Sequence, residues 1–403
     1  MSSKLSRRFC SPFGIFPEQC RRSEAMSDQQ TNAMDRMLDR LTRLIQDRRN
    51  PAGWWQKIRR WLRGMMIGIN AAYGLGLLAL LIVPEWVGER HWLAAFFLYT
   101  PAQAWLLPLL VLAPFTLWLC RRWLWLHLAC LLLVAFGFYR FHWSWRRAPK
   151  GPVVTVMTNN IGQNNRQSFT GFLNQETPDL IALQDATRRA GQYVKSYTNY
   201  QGRDVGEFAL LSRFPIRGAG LLPLRDARGY PVAAWFEIEF NGGAFILYNV
   251  HLPSPRSELY RLKGLGMPVA IAGMGQEDTR PAKYRQRLEE AWAARIKVAR
   301  ELAEVFAREQ RPFLVAGDFN MPNRGYLHRL FSGRLQDAFA AKGRGYGFTF
   351  PGYTSNPLTL FGPWLRLDYL FAGRGFQTVY CQTEPDRKSQ HRAVAARFEV
   401  VEP

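Results

Sequence analysis

In the stretch "RPFLVAGDFNMP", residues 311 to 322, the apolar run Phe313 to Ala316 leads into Gly317, Asp318, Phe319 and Asn320. That is how a buried strand ending in polar side chains reads. The pattern recurs. "VVTVMTNNI" ends near Asn160, "DLIALQD" at Gln184 and Asp185, and "AFILYNVHL" at Asn249 and His251; "RLDYLF" carries Asp368, and "SQHRAV" carries Gln390 and His391. Side chains at strand ends project over a sheet edge, where several strands can gather them on one rigid frame. Carboxylates, amides and imidazoles converging without a serine or cysteine nucleophile suit metal-assisted attack of water on a phosphate. Taken singly, each has a plainer use: Asn160 and Asn320 as strand terminators, Asp318 as a turn residue, His251 as a buried polar group, Asp368 as the partner of Arg366.

These runs imply a frame. From Pro152 onward, short β-rich segments alternate with helical ones, and one long helix is expected from Lys283 to Glu309, ending before Pro312. The interval Pro253 to Pro281, rich in proline and glycine and placed directly after His251, reads as a long loop beside the site. No repeat of 20 to 50 residues is visible.

Ahead of this domain the composition changes. Residues 64–83, "GMMIGINAAYGLGLLALLIV", carry no charge and have the length of a membrane-crossing helix. A second uncharged run, Trp92 to Cys120, contains Pro101, Pro108 and Pro114, so its helix is expected to start after Thr100 or to kink. A third run starts at Trp123 and has aromatic residues near its ends. Three spans are expected within 64–143. Arg48, Arg49, Lys57, Arg59, Arg60, Arg63, Arg121 and Arg122 fall on one side, against Arg90, Arg140, Arg146, Arg147 and Lys150 on the other. This excess places the N-terminus in the cytoplasm and the domain beyond residue 150 outside it, a multi-pass cell-membrane protein. Residues 1–63 read as a cytoplasmic tail, with an amphipathic helix over Met34 to Ile45. The net charge of +22 favours acidic partners: phosphates, nucleic acid or anionic headgroups. The cysteines Cys10, Cys20, Cys120, Cys130 and Cys381 have no C-x-x-C spacing, so a zinc framework is not indicated.

The segments "TNNI", "PDLIALQD", "LLSRFPI", "YNVHL", "VAGDFN", "RLDYLF" and "SQH", in this order across 152–400, resemble the endonuclease/exonuclease/phosphatase superfamily. The resemblance implies an α+β fold for 151–403, a four-layered DNase I-like α/β sandwich preceded by about three transmembrane helices, with magnesium or manganese as cofactor. It also implies roles. Asp318 positions or deprotonates the attacking water, and Asn320 holds that water or a phosphate oxygen. His251 and His391 grip the phosphate, Asp368 orients His391 and keeps it protonated, and Asn160, Asp185 and Gln390 hold the metal. Two departures stand out: Gln184-Asp185 replaces Gln-Glu, and Ser389-Gln390-His391 replaces Ser-Asp-His. Both weaken a metal site for hard cations. A membrane-anchored phosphodiesterase or phosphatase is expected, with lipid-linked phosphates or extracellular nucleotides within reach. The alternatives are a non-catalytic descendant that binds phosphate or a headgroup, and a nuclease, for which the basic excess is diffuse.

Overall fold

The computed structural model describes residues 35–39, 42, 51–145, 148–162, 168–352, 362–385, 387 and 389–401. Residues 35–39 and 42 are helical and exposed; the rest of the expected amphipathic helix lies outside the described residues. Helix α1 (Pro51–Val87) contains the uncharged run 64–83. A one-turn helix, Gly88–Arg90, leads into α2 (Trp92–Tyr99), and Ala102–Leu106 then opens α3 (Leu107–Cys120). Helix α4 (Leu124–Leu132) continues as a wider turn to Phe138.

Among the described residues, two stretches, Gly53–Arg90 and Ala102–Phe138, are long and apolar enough to cross a membrane, where hydropathy leads one to expect three. The second is not one rod. A straight helix of its length would extend about 55 Å, yet the Gln103 N–H donates to the Tyr139 hydroxyl at 3.0 Å, so its two ends meet. Against α1, Tyr73 donates its hydroxyl to the Trp105 carbonyl, and Asn70 Oδ1 lies 2.7 Å from His127 Nε2. Leu77 packs with Ala102, Leu109, Cys130 and Val134.

Beyond residue 150 the β-rich runs form two six-stranded sheets; a separate short ladder pairs β1 (His142–Trp143) with β11 (Arg344–Gly345). One sheet contains β2 (Val153–Asn160), β3 (Leu180–Gln184), β4 (Gln201–Val205), β5 (Phe208–Ser212), β13 (Phe376–Thr383) and β14 (Val394–Val400), in the order β13-β14-β2-β3-β5-β4. The other contains β6 (Ile216–Leu221), β7 (Ala233–Phe240), β8 (Gly243–His251), β9 (Phe313–Asp318), β10 (Gln336–Asp337) and β12 (Asp368–Ala372), in the order β10-β12-β9-β8-β7-β6. Alternation along each strand divides its side chains between two cores. Val154, Leu210, Phe236, Leu247, Leu314 and Phe398 fill the space between the sheets. On the outer faces, Phe172 and Leu173 of α5 (Thr170–Glu176) and Ala190 of α6 (Ala190–Ser196) pack on Ile181 and Leu183. Across the molecule, Leu302 and Phe306 pack on Ile246, Val315 and Phe371. The result is a four-layered α/β sandwich.

The interval Pro253 to Pro281 differs from the expected loop, because it contains α7 (Arg256–Arg261) and α8 (Gly266–Ala272). Leu262, just after α7, and Ala270 of α8 are buried in a cluster shared with Trp92 and Leu98 ahead of the sandwich and with Leu288 and Trp292 of the long helix that follows. Helix α9 (Arg280–Arg308) starts earlier than expected, since Thr279 caps it by accepting the Ala282 N–H and Pro281 fits its first turn. It is followed by α10 (Tyr326–Ser332) and α11 (Ala338–Lys342).

Helix α2 shows why the second apolar stretch starts only after Thr100, as the prolines led one to expect. Trp92, Ala95, Leu98 and Tyr99 are buried with Leu262, Ala270, Leu288, Trp292 and Leu367 of the sandwich. An uncharged run of eight residues satisfies a hydropathy pattern equally well against protein or lipid; Thr100, extended before Pro101, separates it from the next apolar stretch. The joint is tight as well: Gly88 has φ +60°, and a Cβ there would stand 2.3 Å from the Tyr326 backbone nitrogen. A domain boundary at residue 151 therefore leaves out a helix that packs within the sandwich.

Candidate active site

Parallel pairing of β8 with β9 and antiparallel pairing of β9 with β12 place His251, Asp318 and Asp368 side by side in one cross-strand row. Gly317 makes this register possible: its φ is +147°, and a Cβ there would stand 1.9 Å from the Val250 carbonyl oxygen. In the facing sheet, β2 and β3 bring Asn160 beside Gln184. Two buried contacts bridge the sheets: Asn160 Nδ2 donates to Asp318 Oδ2 at 3.1 Å, and Gln184 Nε2 donates to Asn249 Oδ1 at 2.7 Å. Gln184 thus braces the floor of the site.

Asp318 is the hub. Its Oδ1 accepts the Asn320 N–H at 2.8 Å, and its Oδ2 faces the Nε2 atoms of both His251 and His391, each at 3.8 Å. His391 is turned into place by Asp368, whose Oδ2 lies 2.9 Å from Nδ1, and Phe350 packs on the ring. Arg387 braces the same turn by donating to the His391 carbonyl at 3.1 Å. Arg366 does not pair with Asp368, because both its terminal nitrogens bond Asp337, at 2.7 and 2.6 Å. Asn320 has φ +49°, a conformation that Asn tolerates better than most residues. Its Nδ2 donates to the Leu252 carbonyl at 2.9 Å, while its own carbonyl accepts from Tyr99 at 2.8 Å and Arg295 at 2.6 Å.

Asp185 is exposed and also left-handed, with φ +53°. Beside it stands Glu207, which sequence reasoning missed. Glu207 occupies the two-residue turn between β4 and β5, and its backbone carbonyl accepts the Ala186 N–H at 2.8 Å. Its Oε1 lies 3.2 Å from His251 Nδ1. The only signal in the sequence is an acid after Gly206 at a hairpin tip, and nothing local ties that tip to "LQD".

Burial and charge act against one another here. Burial disfavours the His251 imidazolium, but the Glu207 hydrogen bond and the charges of Asp318, Glu207 and Asp185 outweigh it, lifting its pKa to about 9. His391 also reaches about 9: burial is overcome by the charges of Asp368 and Asp318 and by the Asp368 hydrogen bond. Burial pushes the Asp318 carboxyl up, with the two imidazoles pulling against it.

Among the described residues, two groups have the makings of a cation site. Asp185, Glu207 and His251 bring ligand atoms within 4.8 Å of one another, and so do the buried Asp318, Asp368 and His391. The first offers two carboxylates at the open side of the site, the hard anionic oxygens that magnesium and manganese take. In the second, Asp368 is already committed to His391. Asn160 Oδ1 accepts the Gly162 N–H at 2.9 Å, and Gln390 is engaged through its backbone, its carbonyl accepting the Gly352 N–H at 2.7 Å.

A mixed α/β sandwich with acids and imidazoles collected along one edge belongs to the DNase I-like class of folds. The chain is a member of the endonuclease/exonuclease/phosphatase family, whose sequence pattern matches residues 157–391, more than half of its length. Members of this family hydrolyse phosphoesters, act on phosphoester or nucleic-acid substrates, and typically depend on a divalent metal. Among solved structures, an endonuclease/exonuclease/phosphatase from Bacteroides vulgatus is 16% identical (TM-score 0.43, covering 62% of this chain and 100% of that one). One from Beutenbergia cavernae DSM 12333 is 14% identical (TM-score 0.41, 62% and 72%). The human Nocturnin catalytic domain with bound sulfate anion is 15% identical (TM-score 0.42, 63% and 97%). No curated protein sequence matches.

Proposed function

We propose that the chain is a membrane-anchored, metal-dependent phosphoesterase that directs water onto a phosphate ester. The surroundings of Asp318 Oδ2 carry the reading: a buried carboxylate held by Asn160 across the sheets and faced by two imidazole Nε2 atoms at 3.8 Å. A carboxylate made more basic by burial takes a proton from water, and two imidazoles that stay charged to about pH 9 neutralise charge building on the phosphate. Asp368 fixes His391 with Nε2 toward the substrate, and the second Asn320 amide hydrogen is free for a phosphate oxygen or the water. Asp185 and Glu207, with Asn160 and Gln390 at the rim, would hold magnesium or manganese. When bound, the ion polarises the phosphate.

The packing of the apolar helices supports three passes. Gln103 and Tyr139 bring the two legs of the second stretch together beside α1, which favours a cytoplasmic N-terminus and a domain on the other side. The site also lies close to these passes: Tyr99, just before Pro101, donates its hydroxyl to the Asn320 carbonyl. Lipid-linked phosphoesters are therefore favoured over nucleic acid as substrates.

The full chain in lipid nanodiscs, given bis(p-nitrophenyl) phosphate and p-nitrophenyl phosphate, should release nitrophenol from one of them only with magnesium or manganese. Asp318→Asn should lower that rate by about 100-fold or more. Turnover that survives excess chelator, or an Asp318→Asn variant as fast as the parent, would overturn the reading.

A further inference from the structure

We propose that the segment joining His251 to α9 forms a lip seated in the headgroup layer of the bilayer that holds the apolar stretches. This rests on the membrane anchorage proposed above. Leu265 is 80% exposed, Tyr260 69%, Met274 50% and Ile271 48%, and Val269 adds to the same surface. Apolar side chains crowded into one short segment are what soluble surfaces avoid and what interfaces present. Arg256, Arg261 and Lys263 flank them, with Glu258 the one acid between Arg256 and Gly275. Basic residues beside exposed apolar ones suit an anionic lipid surface.

Continuity identifies the occupant. The inner side of the lip, Leu262 and Ala270, is buried in one cluster with Trp92, Ala95, Leu98 and Tyr99 of α2. Helix α2 is joined to the first apolar stretch through Gly88–Arg90 and to the second through Thr100 and Pro101. Lip and membrane stretches thus share a rigid partner only a residue or two from where the chain leaves the bilayer. The lip also hangs from the site, because Leu252, directly after His251, donates its N–H to the Asp318 carbonyl at 2.9 Å. A bilayer therefore covers the exposed face of the lip, and a phosphoester in the headgroup layer faces the site from the side.

Depth measurement tests this. Leu265→Cys and, separately, Ile271→Cys are made in a chain with Cys10→Ser and Cys20→Ser; Cys120, Cys130 and Cys381 are buried. Each is labelled with an environment-sensitive nitrobenzoxadiazole dye and placed in nanodiscs of phosphatidylcholine and phosphatidylglycerol. Arg217→Cys, on an exposed strand position of β6, serves as control. The expected result is blue-shifted emission at 265 and 271, quenched by lipids spin-labelled near the headgroup, with the 217 dye aqueous and unquenched. A dye at 265 and 271 that stays as aqueous as at 217 overturns the proposal, as does shielding that lipid quenchers leave untouched and that grows with protein concentration, which marks a second copy of the chain. Resistance of the whole chain to alkaline extraction from vesicles reads the anchorage separately, so a chain that resists extraction but shows an aqueous lip sinks this inference alone.

Discussion

At the scale of single residues, the site is a balance between burial and charge, and its pH dependence follows. With His251 and His391 protonated up to about 9, turnover should hold through neutral pH and fall as pH rises through about 9. Glu207→Gln keeps the shape but removes a negative charge beside His251. The alkaline limb should move to lower pH, and the half-saturating magnesium concentration should rise by about tenfold or more, read by calorimetry as well as by rate. Gln390→Asp should shift metal binding the opposite way, to lower concentrations. The same imidazoles affect stability. Each has its pKa raised above the unfolded value of about 6.5, so the stabilisation each gives the metal-free chain is full below about pH 6.5 and lost as pH rises through about 9. Thermal melts of the metal-free chain between those limits should show falling Tm. Asp318, Asn320, His251, Asp368 and His391 were legible in the sequence because each lies within a recognisable local pattern; His251 and Asp318 end strands, while Asp368 opens one that runs antiparallel to β9. Glu207 was not, since it reaches the site through the pairing of β5 with β3, a contact between positions distant in sequence.

At the scale of elements, α2 is the part of the second uncharged run that packs on the sandwich, and it is the one that connects the apolar stretches to the chemistry. Arg295 on α9, itself buried, donates to the Asn320 carbonyl at 2.6 Å and lies 3.4 Å from the Tyr99 hydroxyl. Glu89, also buried, accepts the Leu327 N–H on its Oε2 at 3.0 Å. Tyr99→Phe removes one hydrogen bond to the loop bearing Asn320. It should cost about 1 kcal/mol of stability and lower kcat more than it raises KM. Trp92→Ala opens a void in a fully buried cluster and should cost about 3–5 kcal/mol, read as a lower denaturation midpoint. Sequence periodicity could place these residues on a helix but could not name the surface that covers them.

At the scale of the whole molecule, the fold constrains topology. Because α2 packs within the sandwich, the proposed membrane anchorage requires the two to share one side of the bilayer. Reporters active only outside the cytoplasm, fused after Trp92 and after Pro403, should therefore agree with one another, and both should be active. Opposite readings from the two would contradict the packing of Trp92 on Trp292 and Leu288. The basic residues before the first stretch are what favours the proposed orientation in the sequence, but the reason the two fusion points are linked lies in a contact across two hundred residues. The bond from Tyr99 to Asn320 has a further consequence, for kinetics. If the chain is the membrane-anchored phosphoesterase proposed above, a catalytic loop fastened to the helix between its two apolar stretches would meet lipid substrates by lateral diffusion in two dimensions. Its rate should then follow the mole fraction of substrate in the bilayer: diluting a phosphoester lipid with inert lipid at constant bulk concentration should slow turnover, while diluting the vesicles themselves should leave it unchanged.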